Sequence, residues 1–395
     1  MDISTNDSST VGLRALMVLC ALAVVSLLYL PLPVLHVLEQ SHGIGAADMV
    51  SSFGFAYALG FLIFGPLSDR LGRRVVMVGG LLALTVITIV LAAVQTPAFV
   101  MAGRVLQGLA AASFPPVAIA YLAERGTPRQ RVWSVAWMST AFLSAGLLGQ
   151  IYGAVVAIRW GLGNAFLPLC GIYALTAWRL WRTPSDKAGV PTLQGFWNNY
   201  RAVGGLLADA RLRRVYVPAF LLLMCFVAFY MSLDMHLGAK LAQQGISPLM
   251  VRVFAAPAFL APLAVAMVMP RLGAQMILGI GLACATTGLA LSALAGEAHL
   301  MALLGTSFLF VAGIGISVPG LIARVAGVSD ASVRGLAVSL YTFVLFLGAS
   351  VGPWLAMQTA RMRLENMYVL MAVLLGSCAV YASTGLKRTV PLITK

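Results

Sequence analysis

The stretch Gly65-Pro66-Leu67-Ser68-Asp69-Arg70-Leu71-Gly72-Arg73-Arg74 puts one carboxylate, three arginines and two glycines into ten residues. The chain on either side is apolar for about the length of a bilayer crossing, over 48–68 before it and 75–95 after it. A transmembrane helix needs about 20 apolar residues, so the segment reads as a short polar turn between two spans. The same reading extends outward. Of 395 residues, 61% are hydrophobic and 10% charged, whereas a soluble domain carries about 25% charged residues. Folding so apolar a chain in water would expose patches that aggregate. The same figures exclude collagen, coiled coil, disordered chain and secreted disulfide scaffold. Apolar stretches of span length fall at 15–35, 48–68, 75–95, 98–122, 132–157, 163–182, 215–238, 248–269, 275–295, 299–323, 334–358 and 367–386. The alternating ten-residue segments of a membrane barrel do not occur. The expected fold is an all-α integral membrane protein with twelve transmembrane helices.

Basic residues give the orientation. With the N-terminus inside, 20 of the 26 Lys and Arg fall on the cytoplasmic side. Outside lie Arg159, Lys240, Arg252, Arg361 and Arg363, and Arg104 lies within a span. Short loops obey the positive-inside rule, so both termini are expected in the cytoplasm. The net charge of +14 is then a topology signal and an attraction to acidic lipid, and no nucleic-acid partner is expected. The first span reads as uncleaved. All five cysteines fall inside spans and none is at CxxC spacing, so neither a disulfide nor a metal site is expected. The expected organisation is a cytoplasmic tail 1–14, a six-helix bundle 15–182, a cytoplasmic linker 183–214, a second six-helix bundle 215–386 and a cytoplasmic tail 387–395. In the linker Phe196, Trp197, Tyr200, Val203, Leu206 and Leu207 recur at helical spacing. They read as an amphipathic helix on the inner membrane surface, or as a linker whose apolar residues pack on the domain.

The two halves repeat at an offset of about 201–204 residues. Residues 69–77 correspond to 270–278, matching Arg70 with Arg271 and Gly72 with Gly273, and Arg131 corresponds to Arg334. Small residues at four-residue intervals, among them Gly149 and Gly153, return in the eleventh span as Gly348 and Gly352. Such stripes allow close helix approach. Two parallel-repeat bundles meeting along small-residue seams is the architecture expected of a rocking transporter.

The 65–74 segment resembles the signature loop between spans two and three of the major facilitator superfamily, and Arg104-Val105-Leu106-Gln107-Gly108 in span four looks like the second signature of its proton-coupled members. The chain looks most similar to twelve-span bacterial drug and metabolite efflux permeases, including the arabinose-efflux-permease-like and drug:proton antiporter groups. It departs from the latter in span five, where Ala145-Gly146 stands in place of a Gly-Pro pair.

Several positions can then be assigned expected roles. Asp69 can sit at the positive N-terminus of a neighbouring helix and pair with arginine. The resemblance implies that it meets the start of span eleven and clasps the halves together, in a gate comprising Gly65, Asp69, Arg70, Gly72, Arg73, Glu124 and Arg131. Pro270 and Gly327 stand at the counterparts of Asp69 and Glu124, so the lock is expected on one side only. Arg104 lies roughly 9 Å deep at 1.5 Å per residue, where an unpaired cation is costly. By the resemblance it faces the cavity with Gln107, serving proton coupling or an anionic group; otherwise it snorkels outward or braces the helix on backbone carbonyls. Asp234 is the best-placed carboxylate for proton exchange, ahead of Asp48 and Glu39. Of the histidines, His236 lies two residues on, and His36, His42 and His299 also fall on the outer side. By family analogy Tyr29, Ser113, Phe229, Tyr230, Ser307, Phe310 and Ser317 line a mostly apolar cavity, and Pro31, Pro33, Pro115, Pro116 and Pro319 break helices near it.

An enzyme would require an ionisable cluster at membrane depth, and an ATP-driven pump a phosphate-binding GxxxxGK[ST] loop; the sequence has neither. The expectation is a monomeric, cofactor-free transporter of the bacterial inner membrane. It would export a small organic solute by proton antiport, with uptake or facilitated diffusion of a metabolite or sugar as the alternative.

Overall fold

The computed structural model describes residues 3–32, 46–94, 96–183, 203–297, 299–330 and 333–384. Ten of the described helices are long and apolar enough to cross a membrane. One stretch among them, Ala256–Ala295, is two spans in one: its helix Ala261–Ala295 contains Gly273 at φ 75°, ψ 158°, where the backbone is not helical. A further helix, Leu162–Arg182, has 21 residues but is less apolar. Counted this way the helices fit the expected twelve and are numbered as spans one to twelve. They form two six-helix bundles.

Gly72, at φ 90°, makes the same break between spans two and three. A positive φ costs an L-residue with a Cβ but not glycine, so both repeats turn on a glycine at the same position. Span four is interrupted as well. Its helix Pro97–Ala111 ends, and Pro115–Glu124 begins on a Pro-Pro pair, because Pro115 has no N–H to donate and restricts the residue before it. Span five starts with a capping box: Thr127 accepts from the Gln130 amide and Gln130 returns the bond, with Pro128 in the first turn. It ends in a π-helical turn, Gly153–Ala157.

The small-residue stripes lie elsewhere than expected. A Cβ on Gly153 would overlap the Leu30 carbonyl, and one on Gly149 would lie 3.0 Å from Ser26, so span five closes on span one within its own bundle. Gly348 approaches the Phe220 carbonyl and Gly352 the Met224 carbonyl, closing span eleven on span seven. The seams therefore hold each bundle together. Between the bundles Gly65 comes close to Ser339, and Gly335 close to Asp69. Gly348→Ala should lower stability by about 1–3 kcal/mol, the usual range for overpacking. Gly171→Ala, where a Cβ meets nothing within 4 Å, should be neutral or stabilising. Thermal unfolding of the two purified variants checks this.

Of the linker residues, Val203 and Leu206 pack against the core while Leu207 is exposed. Phe196, Trp197 and Tyr200 lie outside the described residues, as do Pro33, His36, Glu39 and His42; nothing is described of the Asp48 side chain.

Candidate functional site

At the arginine-rich end, four charged side chains and a helix start form a latch between the bundles. Asp69, at the end of span two, accepts a hydrogen bond from the Leu336 amide through Oδ2 at 3.1 Å. Leu336 lies in the first turn of span eleven, which begins at Arg334, so the carboxylate sits at the positive end of that helix. Gly335 makes room, since a Cβ there would overlap the Asp69 carboxylate. Arg73 Nη2 lies 3.7 Å from Asp69 and donates to Glu124 Oε1 at 2.8 Å. Arg334 closes the circuit 3.5 Å from the same Glu124 oxygen.

The gate expected from the sequence is thus changed in one member. Arg131 donates to the Gly126 carbonyl at 2.9 Å and makes no ion pair with Glu124 among the described residues. Its repeat counterpart Arg334 occupies that place. Gly65 and Gly72 act through the backbone, as the close approach to Ser339 and as the turn. Arg70 is engaged in an interaction of its own. Arg74 reaches across to the Trp181 carbonyl.

Between the bundles lies a cavity of about 420 Å³, lined by spans one, two, four and five on one side and seven, eight, ten and eleven on the other. Tyr29, Tyr230 and Asp234 line it. Asp234 is also exposed, so the cavity reaches the surface at the end opposite the latch. Most of the lining is apolar or aromatic, with Phe142, Phe226 and Phe346 among it. Pro115, at the break in span four, also lines it.

Seven expected cavity residues are placed elsewhere. Phe229 and Phe310 are fully buried and meet at a tilt with ring centroids 5.1 Å apart, while Phe229 stacks on Tyr368 at 4.7 Å. These aromatic rings fill the interior of the second bundle and are not part of the cavity lining. Arg104 and Gln107 are fully buried inside the first bundle. Arg104 donates to Gln107 Oε1 at 2.7 Å, to the Leu27 carbonyl at 3.1 Å and to the Met49 carbonyl at 3.4 Å. Gln107 passes the chain on to Thr88 at 3.0 Å, and the guanidinium stands 4.3 Å over the Phe53 ring. The Leu27 carbonyl has a particular need of a donor: the residue four ahead is Pro31, which has no N–H to complete the helical bond. Arg104 therefore ties spans one, two, three and four. Ser113, Ser307 and Ser317 are likewise removed from the cavity, each donating to a carbonyl of its own helix.

The sequence reading missed Arg252, which it had counted as an outer-loop arginine. The short helix Pro248–Phe254 carries Arg252 to the cavity lining, with its guanidinium 5.5 Å from the Tyr230 ring. His236 faces the Ser232 and Met362 carbonyls, each at 2.9 Å, and joins span seven to the turn before span twelve.

Two helical bundles latched at one end around a cavity that opens at the other form the architecture of a membrane transporter fold. The Major Facilitator Superfamily matches residues 15–353, and the chain belongs to that superfamily. It is 28% identical over 274 residues to a chloramphenicol resistance protein of Pseudomonas aeruginosa, covering 65% of this chain and 62% of that protein. It is 29% identical to the inner membrane transport protein YnfM of Escherichia coli strain K12, over 43% of this chain and 42% of that one. The matched part is thus less than two thirds of either relative's length. Among solved structures, the human organic anion transporter MFSD10 superposes with a TM-score of 0.74 at 18% identity, covering 94% of this chain and 98% of that one. The proton:xylose symporter XylE superposes at 0.73 with 15% identity, covering 95% of each chain. At these identities the likeness is one of fold.

Proposed function

We propose that the protein is a secondary active transporter of the bacterial inner membrane that exports a small organic solute by proton antiport. The observation that carries this reading is the cavity of about 420 Å³ walled by both bundles, latched at the Asp69 end and reaching the surface at Asp234. Its size suits a small ligand, for which sites of about 300–1,000 Å³ are usual. Rocking the bundles about it would present the cavity to each side in turn. The matches to a chloramphenicol resistance protein and an inner membrane transport protein support the direction and the membrane. In this reading both termini are cytoplasmic, the linker 183–214 joins the bundles, and one chain suffices because each holds a complete cavity.

Asp234 is the one carboxylate lining the cavity among the described residues, and it is the group assigned to proton exchange. Everted vesicles with an acid-inside gradient test the assignment, with candidate solutes added in turn. Wild type should dissipate the gradient on adding a substrate. Asp234→Asn should abolish the solute-driven proton flux while leaving solute binding in place. Solute movement without proton flux in wild type would replace antiport by facilitated diffusion.

A further inference from the structure

We propose that the cavity selects solutes carrying an anionic group, and that Arg252 holds that group. The proposal rests on the transport reading above and specifies its substrate class. Arg252 is the one lysine or arginine lining the cavity among the described residues. It forms no ion pair or hydrogen bond there; the Tyr230 ring is its neighbour, at 5.5 Å. Burial holds its pKa below the ordinary arginine value, against the opposing effects of Tyr230, Tyr29 and Asp234. An arginine nevertheless stays charged in proteins, and a cation set in an apolar chamber calls for an anion.

A second observation points the same way. Among the described residues the hydroxyls of Tyr57, Tyr230 and Tyr341 have no hydrogen-bond partner, and all three residues line this cavity. They are 0%, 6% and 2% exposed. Buried donors are rarely left unpaired. Three phenols and a guanidinium in an otherwise apolar, aromatic chamber form a set of donors awaiting acceptors. A solute with a carboxylate or sulfonate on an aromatic or aliphatic body meets both requirements, and the guanidinium fork can hold such a group with two parallel bonds. Asp234 carries the opposing charge, but it is exposed, so water screens its repulsion.

Thermal unfolding of the purified full chain in detergent can compare 2-naphthalenesulfonate, a permanent anion, with 2-naphthalenesulfonamide, its neutral isostere. Wild type should bind the sulfonate at least about tenfold more tightly, the factor that one charge-assisted contact provides. Arg252→Gln should remove the preference and leave sulfonamide affinity within about twofold. Arg252→Lys, which keeps the charge and loses the fork, should retain part of it and serves if the Gln variant does not fold. Equal affinities in wild type, or a preference that survives Arg252→Gln, overturns the assignment, as does binding of neither probe. Proton flux driven only by neutral or cationic solutes in the everted vesicles would overturn the anion preference while leaving the transport reading intact. No movement of any solute, with or without protons, would remove both.

Discussion

Asp69→Asn lowers transport by about tenfold or more while the amount of protein in the membrane stays near wild type. The carboxylate joins three groups at once: the Leu336 amide at 3.1 Å, Arg73 at 3.7 Å and, through Arg73, Glu124 at 2.8 Å. An amide side chain keeps the shape and can still accept from Leu336, but it loses the attraction to Arg73 and to the helix start. Charge-assisted hydrogen bonds contribute about 1.5–3 kcal/mol, and a charge at a helix end about 0.3–1 kcal/mol. A loss of about 2 kcal/mol changes the ratio of latched to open forms by about thirtyfold. Folding should be spared, because the contact joins the two bundles and neither bundle's core depends on it. Transport per inserted molecule, measured beside Asp69→Glu, separates the two effects. An unchanged rate for Asp69→Asn would show that the latch has no part in the cycle.

Arg104→Met acts on the fold and should lower the unfolding temperature by about 4 °C. Met fills much of the volume but leaves the Leu27 carbonyl and the Gln107 side chain without their donor, at a cost of about 1–3 kcal/mol for each buried group. A total of about 3 kcal/mol corresponds to a shift of that order in a chain of this length. Restoring the residue at position 31 offers an internal control. Pro31→Ala supplies an N–H that can meet the Leu27 carbonyl, so part of the loss in Arg104→Met should be recovered in the double variant. If the double variant is no more stable than Arg104→Met, the carbonyl account is wrong. If Arg104→Met keeps its stability and loses only transport, the residue belongs to the solute pathway after all.

How far each feature could be read from the sequence depended on the range of its partners. The fold was legible because hydrophobic runs of bilayer length are a local property, and the repeat confirmed their grouping. The latch was legible in part: Asp69, Arg73 and Glu124 occur in a recognisable pattern, and the counterpart relation of Arg131 and Arg334 was visible. Which of those two arginines faces Glu124 depends on how the bundles meet, and that is a tertiary fact. Arg252 was not legible, because a loop arginine becomes a cavity residue only through the short helix that folds it inward. For Arg104 the charge was conspicuous but its acceptors are backbone carbonyls, which carry no side-chain signature. One signal did exist: a proline four residues after Leu27 announces an orphaned carbonyl. Serines at helical positions misled for a related reason, since Ser113, Ser307 and Ser317 satisfy themselves on their own helices.

Both repeats turn on a glycine, at φ 90° and 75°, yet only the first carries an acid beside that turn, Pro270 standing where Asp69 would recur. In the proposed cycle the two end forms are then expected to be unequal in energy before any cargo arrives. An empty molecule is expected to rest in the latched form, each turnover beginning by opening the same contacts. Throughput plotted against the strength of those contacts then rises to an optimum and falls. A clasp too weak leaves the resting form unpopulated; one too strong leaves it unable to let go.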